Sequence, residues 1–170
     1  MGTWRWMVMK TSGDSPHVDT DAVDIAKQFQ VEVSLLENIE QAIRFTLDWD
    51  SGTHETVRKL STLRFATQTF ERHLARVRAL SEHGGYMHLI TDKKPRLANE
   101  VTELKSARDE LQDQFERLIV ALEHLSAGNP ARLEEICSDY RSFLEALDLH
   151  GQNERELFHR ACFEELGGSG

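Results

Sequence analysis

Apolar residues recur along most of this chain in steps of three and four, the spacing that lines one face of an α-helix. The pattern is cleanest after Pro95, where Leu97, Val101, Leu104, Leu111, Phe115, Leu118, Leu122 and Leu125 hold it, with Arg108 at one step. Leu60, Leu63, Thr67, Phe70, Leu74 and Val77 form an earlier stripe. Ile136, Tyr140, Phe143, Leu147, His150, Glu154, Leu157 and Ala161 form a later one. Nearer the start, Ile25, Phe29, Leu36, Ile39, Ile43 and Leu47 continue a looser stripe, which Val31 and Val33 are expected to interrupt.

The punctuation between stripes is that of helix ends. Asp19 or Thr20 can cap the first helix, with Asp21 and Asp24 in its opening turn. The stretch DWDSGTHE breaks the pattern, and Ser51 or Thr53 can cap a second helix with Glu55 in its first turn. Gly84-Gly85 should stop that helix, and Pro95 sits well near the start of the third. Gly128 should end the third, and Asn129-Pro130 should open the fourth. Gly151 is a weak point within it, since glycine costs roughly 1 kcal/mol against alanine in a helix. Four long helices with short connections predict an all-α fold, an antiparallel up-down-up-down four-helix bundle over residues 19–170. Residues 1–18 read as an extended N-terminal arm that lays Trp4, Trp6, Met7 and Val8 on the body of the protein.

Composition narrows the function classes. The 170 residues carry 29 acidic and 20 basic side chains, a net charge of −9. That balance opposes a general nucleic-acid binder, which needs a positive footprint, and an anionic membrane surface for the same reason. Hydrophobic residues at 39% suit a globular chain and not a disordered one. No run approaches a membrane span, and MGTWRWMVMK lacks the apolar core and cleavage site of a secretion signal. Cys137 and Cys162 are separated by roughly 37 Å if one helix carries both, beyond disulfide reach. A cytoplasmic, reducing setting is expected.

The inward stripes should be apolar, so their polar members carry information. Arg108, His150 and Glu154 stand out. His150 and Glu154, four apart, share a helix face, a spacing that suits transition-metal ligands in a bundle core. The alternative is a buried ion pair of Arg108 with Glu154, His150 hydrogen-bonding beside it, because the guanidinium fork matches a carboxylate. Remaining histidines, His73 among them, read as surface or boundary residues. Nothing matches a nucleophile elbow, a P-loop or a dinucleotide fingerprint, so no enzyme class is indicated.

Two segments resemble hemerythrin-like (HHE-type) proteins: EHGGYM at 82–87 followed by Pro95, Leu97, Val101 and Leu104, and the closing HGQNERELFHRACFEELGG. The resemblance covers about residues 31–170. It implies a bundle holding a pair of non-heme irons through histidines and carboxylates of all four helices, for oxygen binding, sensing, or handling of iron and peroxides. Carried over position by position, the helix-one histidine falls at or beside Asn38. The helix-two pair falls on Val77 and Ser81, or one residue on at Arg78 and Glu82. The helix-three pair falls on Arg108 and Gln112, and the helix-four pair on His150 and Glu154.

Most ligand positions therefore depart from the pattern, and one holds a permanent cation. The expectation is a bundle that has lost its di-iron site and carries no cofactor. Arg108–Glu154 and Arg78–Glu82 pairs would hold the interior near neutrality, and the protein would act as a structural or interaction module. Its partner would be a protein, a second copy in a homodimer included, with no nucleic acid and no membrane. The alternative is a rebuilt non-heme iron site on Glu82, His150 and Glu154, for oxygen or redox sensing or iron handling.

Overall fold

The computed structural model describes the backbone of residues 20–49, 55–84 and 94–163 and the side chains of 27–49, 55–79 and 94–161. Over those residues the fold is all-α. The elements are α1 (Thr20–Leu47), α2 (Glu55–Gly84), a 3-10 turn (Pro95–Leu97), α3 (Ala98–His124) and α4 (Pro130–Phe163). The arm at 1–18 and the caps expected at Asp19, Ser51 and Thr53 lie outside the described residues.

Several ends follow from local chemistry. α2 opens on Glu55, whose charge suits the positive end of the helix dipole, and closes on Gly84. Pro95 opens the 3-10 turn, where its missing N–H leaves no bond unmade, and the Leu97 N–H bonds to the Lys94 carbonyl at 2.9 Å. Asn129 Oδ1 accepts from the Arg132 N–H at 3.1 Å, the side-chain cap that starts α4 at Pro130. α3 ends at His124. Leu125 turns to extended backbone (φ −71°, ψ 127°) yet stays buried.

The interruption expected at Val31 and Val33 does not occur: α1 runs unbroken through both. β-Branching lowers helix propensity only slightly. Two residues apart on a helix, the valines also face different ways, so Val33 is buried while Val31 is exposed.

The inward stripes converge on one large apolar cluster drawn from all four helices. At its centre Phe115 stacks on Phe143 at 5.2 Å and meets Phe70 edge-on at 5.5 Å, while Tyr140 meets Phe143 edge-on at 5.9 Å. The buried Tyr140 hydroxyl is satisfied by Thr67 Oγ1 at 3.2 Å. Burial pushes that phenol well above its ordinary range, and Thr67 offsets this only in part. A second, smaller cluster joins Leu97, Val101, Leu104 and Leu157, with Phe158 and Ala161 against it.

The last carbonyls of a helix have no partner within it and carry the negative end of its dipole. Here cations of neighbouring helices meet them. Arg64 of α2 donates to the carbonyls of Leu122, Glu123 and Leu125 at 2.8, 3.1 and 2.6 Å. Arg141 of α4 donates to the Leu47 carbonyl at 2.6 Å. Lys59 of α2, fully buried, donates to the Trp49 carbonyl at 3.0 Å and to Glu134 at 3.1 Å. Among the described residues, no helix is long and apolar enough to cross a membrane.

Candidate functional site

The large and small apolar clusters are separated on α3 and α4 by a polar layer. Leu111 and Leu147 belong to the large cluster, Leu104 and Leu157 to the small one, and Arg108, His150 and Glu154 fall between. One turn of α4 separates His150 from Glu154 and puts both on the inward face. Arg108 occupies the matching inward step of α3.

Arg108 Nη2 donates to Glu154 Oε1 at 2.6 Å. The pair is asymmetric: the Glu154 side chain is 3% exposed and that of Arg108 34%. The guanidinium therefore reaches the carboxylate from the rim, short of the full burial that its stripe position suggests. His150 Nε2 lies 3.5 Å from the same carboxylate oxygen, at the outer limit of a hydrogen bond. Among the described residues, neither ring nitrogen of His150 has a partner with hydrogen-bonding geometry. Burial pushes the Glu154 carboxyl up, but the adjacent His150 and the Arg108 guanidinium outweigh it and hold the group below its usual range.

The other positions carried over from the resemblance do not converge on this layer as ligands. Val77 is buried in the large cluster and has no donor atom. Asn38 is exposed on α1. Arg78 donates to the Gln112 carbonyl oxygen, and the Gln112 amide donates to Glu116 at 2.7 Å. The side chains of Ser81 and Glu82 lie outside the described residues, and with them the expected Arg78–Glu82 pair and the third ligand of the rebuilt iron site. A cation at Arg108, a hydrocarbon at Val77 and a solvent-facing amide at Asn38 do not fit a pair of irons held from four helices. Among the described residues, no group of three or more His, Cys, Asp or Glu is placed to hold a metal ion.

Sequence reasoning missed two further buried carboxylates, both on α1. Glu32 meets His73 Nδ1 at 2.5 Å and Arg76 at 3.3 Å. His73 is therefore mostly buried and paired across α1 and α2. Glu40 accepts from Arg44 at 2.7 Å, and Arg44 also reaches Asp148 of α4 at 2.8 Å. Burial pushes the Glu40 carboxyl above its usual range in spite of Arg44. The signal was available: Glu32 and Glu40 flank inward steps of α1 just as Arg108 interrupts that of α3. Near the far end of α4, Arg160 pairs with Glu100, and buried Lys94 donates to the Arg160 carbonyl at 3.2 Å.

No model of a protein family, no curated protein and no solved structure matches this chain.

Proposed function

We propose that the four helices pack as an antiparallel up-down-up-down bundle of hemerythrin-like pattern. In it an arginine–carboxylate pair stands where a metal centre would, and the protein serves as a structural or interaction module, not an enzyme. Support for the topology comes from contacts whose numbers fall on one helix as they rise on its neighbour. Glu32 pairs with His73 and Trp49 with Lys59; Arg64 pairs with Leu122 and Arg78 with Gln112. Glu100 pairs with Arg160 and Arg108 with Glu154; Arg44 pairs with Asp148 and Leu47 with Arg141.

The observation that carries the functional reading is the 2.6 Å contact of Arg108 with Glu154 between the two apolar clusters. A guanidinium offers donors and no lone pair, so it neutralises the carboxylate and repels a cation from the same space. A cytoplasmic setting belongs to this reading, with Cys137 a buried free thiol. Metal analysis of protein purified from iron-supplemented cells tests it, with far less than one iron per chain expected. About two irons per chain, the complement of a di-iron bundle, would refute it.

A second reading, a rebuilt iron site on Glu82, His150 and Glu154, is favoured by one observation: His150 is buried, and among the described residues neither of its ring nitrogens has a hydrogen-bond partner. Under that reading His150→Ala lowers the iron content of the purified protein. Unchanged iron content counts against it.

A further inference from the structure

α1 carries two stripes. One faces the core. The other, Val31, Leu35, Asn38, Ala42 and Phe45, advances in steps of four and three on the opposite side of the same helix, with Trp49 one step on, just past its end. Val31 is 58% exposed, Leu35 39% and Phe45 68%, and Asn38 and Ala42 are exposed as well. Phe45 and Trp49 meet edge-on at 6.1 Å and close the stripe at one end. A repeat of 3.5 residues is the seam along which one helix packs against another.

The charges of α1 make this face unusual. Between Gln28 and Leu47 the charged residues are Glu32, Glu37, Glu40 and Arg44, and all four are buried or half-buried. The exposed residues from Gln28 to Phe45 include no charge, in a chain that is 29% charged. By contrast, the exposed face of α3 carries Glu103, Lys105, Asp109, Glu110, Asp113 and Glu116. Depletion of charge around aromatic and aliphatic side chains is the composition of an interface core. For two molecules of net charge −9, an uncharged face is also where approach meets least repulsion.

We propose that this face binds a second copy of the chain, α1 against α1, antiparallel about a two-fold axis at Asn38. Three features select that occupant and that register. First, the stripe is self-complementary about its midpoint: Val31 comes opposite the Phe45 position and Leu35 opposite the Ala42 position, larger against smaller in the second case. An interface between identical faces requires such pairing. Second, Asn38 comes opposite its own copy. Two side-chain amides can exchange hydrogen bonds there, and a single asparagine in an apolar seam fixes register.

Third, exposed Lys27 lies at one end of the seam, and exposed Asp48, just past the end of α1 and 3.9 Å from Arg141, at the other. Antiparallel pairing brings each lysine to the partner copy's aspartate, whereas parallel pairing would set like charges together. The seam from Val31 to Phe45 spans roughly 21 Å, and on a helix roughly 10 Å wide that is a patch of a few hundred Å², short of the ~800 Å² per partner of a standard interface if α1 acts alone. The dimer is therefore reversible. This inference does not depend on the metal reading, and its experiment is separate.

Analytical ultracentrifugation of the full chain tests it, from about 1 to 500 μM, the range that brackets a micromolar dissociation constant. The expected result is a 19.5 kDa species that doubles in mass as concentration rises. Leu35→Glu should weaken the dimer at least ~100-fold, since it sets a charge in the seam beside its partner. The helical circular dichroism and melting of that variant should stay as they are, because Leu35 lies outside the core. Lys27→Glu should weaken association about tenfold, and Lys27→Glu with Asp48→Lys should restore it. A monomer throughout the range overturns the proposal and leaves the face to another protein. A dimer indifferent to Leu35→Glu overturns it too, and failure of the charge swap to restore association overturns the antiparallel register.

Discussion

Replacing Arg108 with leucine removes the guanidinium 2.6 Å from Glu154 and leaves a carboxylate that is 3% exposed. Breaking a fully buried ion pair by removing one partner costs about 3–5 kcal/mol, because an uncompensated charge remains. Arg108 is one-third exposed, so water already screens part of the attraction, and the expected loss falls to about 2–3 kcal/mol. For a chain of this size each kcal/mol shifts the melting temperature by roughly 2–4 °C, so Arg108→Leu should melt roughly 5–10 °C lower. Urea unfolding at pH 7, followed by helical circular dichroism, measures the loss directly.

Two controls separate charge from packing. Changing both Arg108 and Glu154 to leucine removes the buried carboxylate together with its cation and should cost less than about 1 kcal/mol. The pH dependence has a definite sign. In the native protein the Glu154 carboxyl lies below its usual range, so its contribution is present above the unfolded carboxylate value and is lost as pH falls through the folded one. In Arg108→Leu, burial is still opposed by His150 but no longer by the guanidinium, and protonation relieves more of the buried charge. The gap between the two proteins should therefore narrow below about pH 4. A loss under about 0.5 kcal/mol at pH 7, the level of an ordinary surface substitution, would refute the reasoning. A gap that stays constant from neutral to acid pH would do so as well.

Phe143→Ala should cost about 3–5 kcal/mol by urea unfolding, because it empties the space between Phe115 and Tyr140. Thr67→Val should cost about 1–3 kcal/mol in the same assay, since the buried Tyr140 hydroxyl loses its partner while the volume is kept. Arg64→Ala should lower stability by about 1–2 kcal/mol, and amide exchange should quicken selectively in the last turn of α3, whose carbonyls it meets. Cys137, buried and with its thiol pushed up by that burial, should resist a thiol reagent in native Cys162→Ser protein and react promptly once urea unfolds the chain.

The four inward stripes were legible because helical periodicity is local. A residue's face depends only on its number, and Leu60 through Val77 or Leu97 through Leu125 could be read without knowing what they pack against. Arg108 and Glu154 were legible for the same reason, as breaks in an apolar rhythm. Other features depended on distance across the fold. Nothing in the local sequence says that Arg64 will meet the end of α3 or that Arg141 will meet the end of α1. Those contacts depend on the register of one helix against another, which separations of 58 and 94 residues leave open. His73 looked like a surface residue because its partner Glu32 lies on a different helix.

α1 shows the division most sharply. Its sequence contains two apolar stripes and seven charges, and periodicity alone does not say which of those charges the fold will bury. Local pattern determined that the segment is an amphipathic helix. Only the tertiary packing decided that Val33 goes in while Val31 and Phe45 stay out, that Glu32 is buried against His73 and Arg76 of α2, and that Arg44 beside buried Glu40 reaches across to Asp148 of α4. The physical reason is that burial of a charge depends on where its counter-charge stands, and only the fold sets that position.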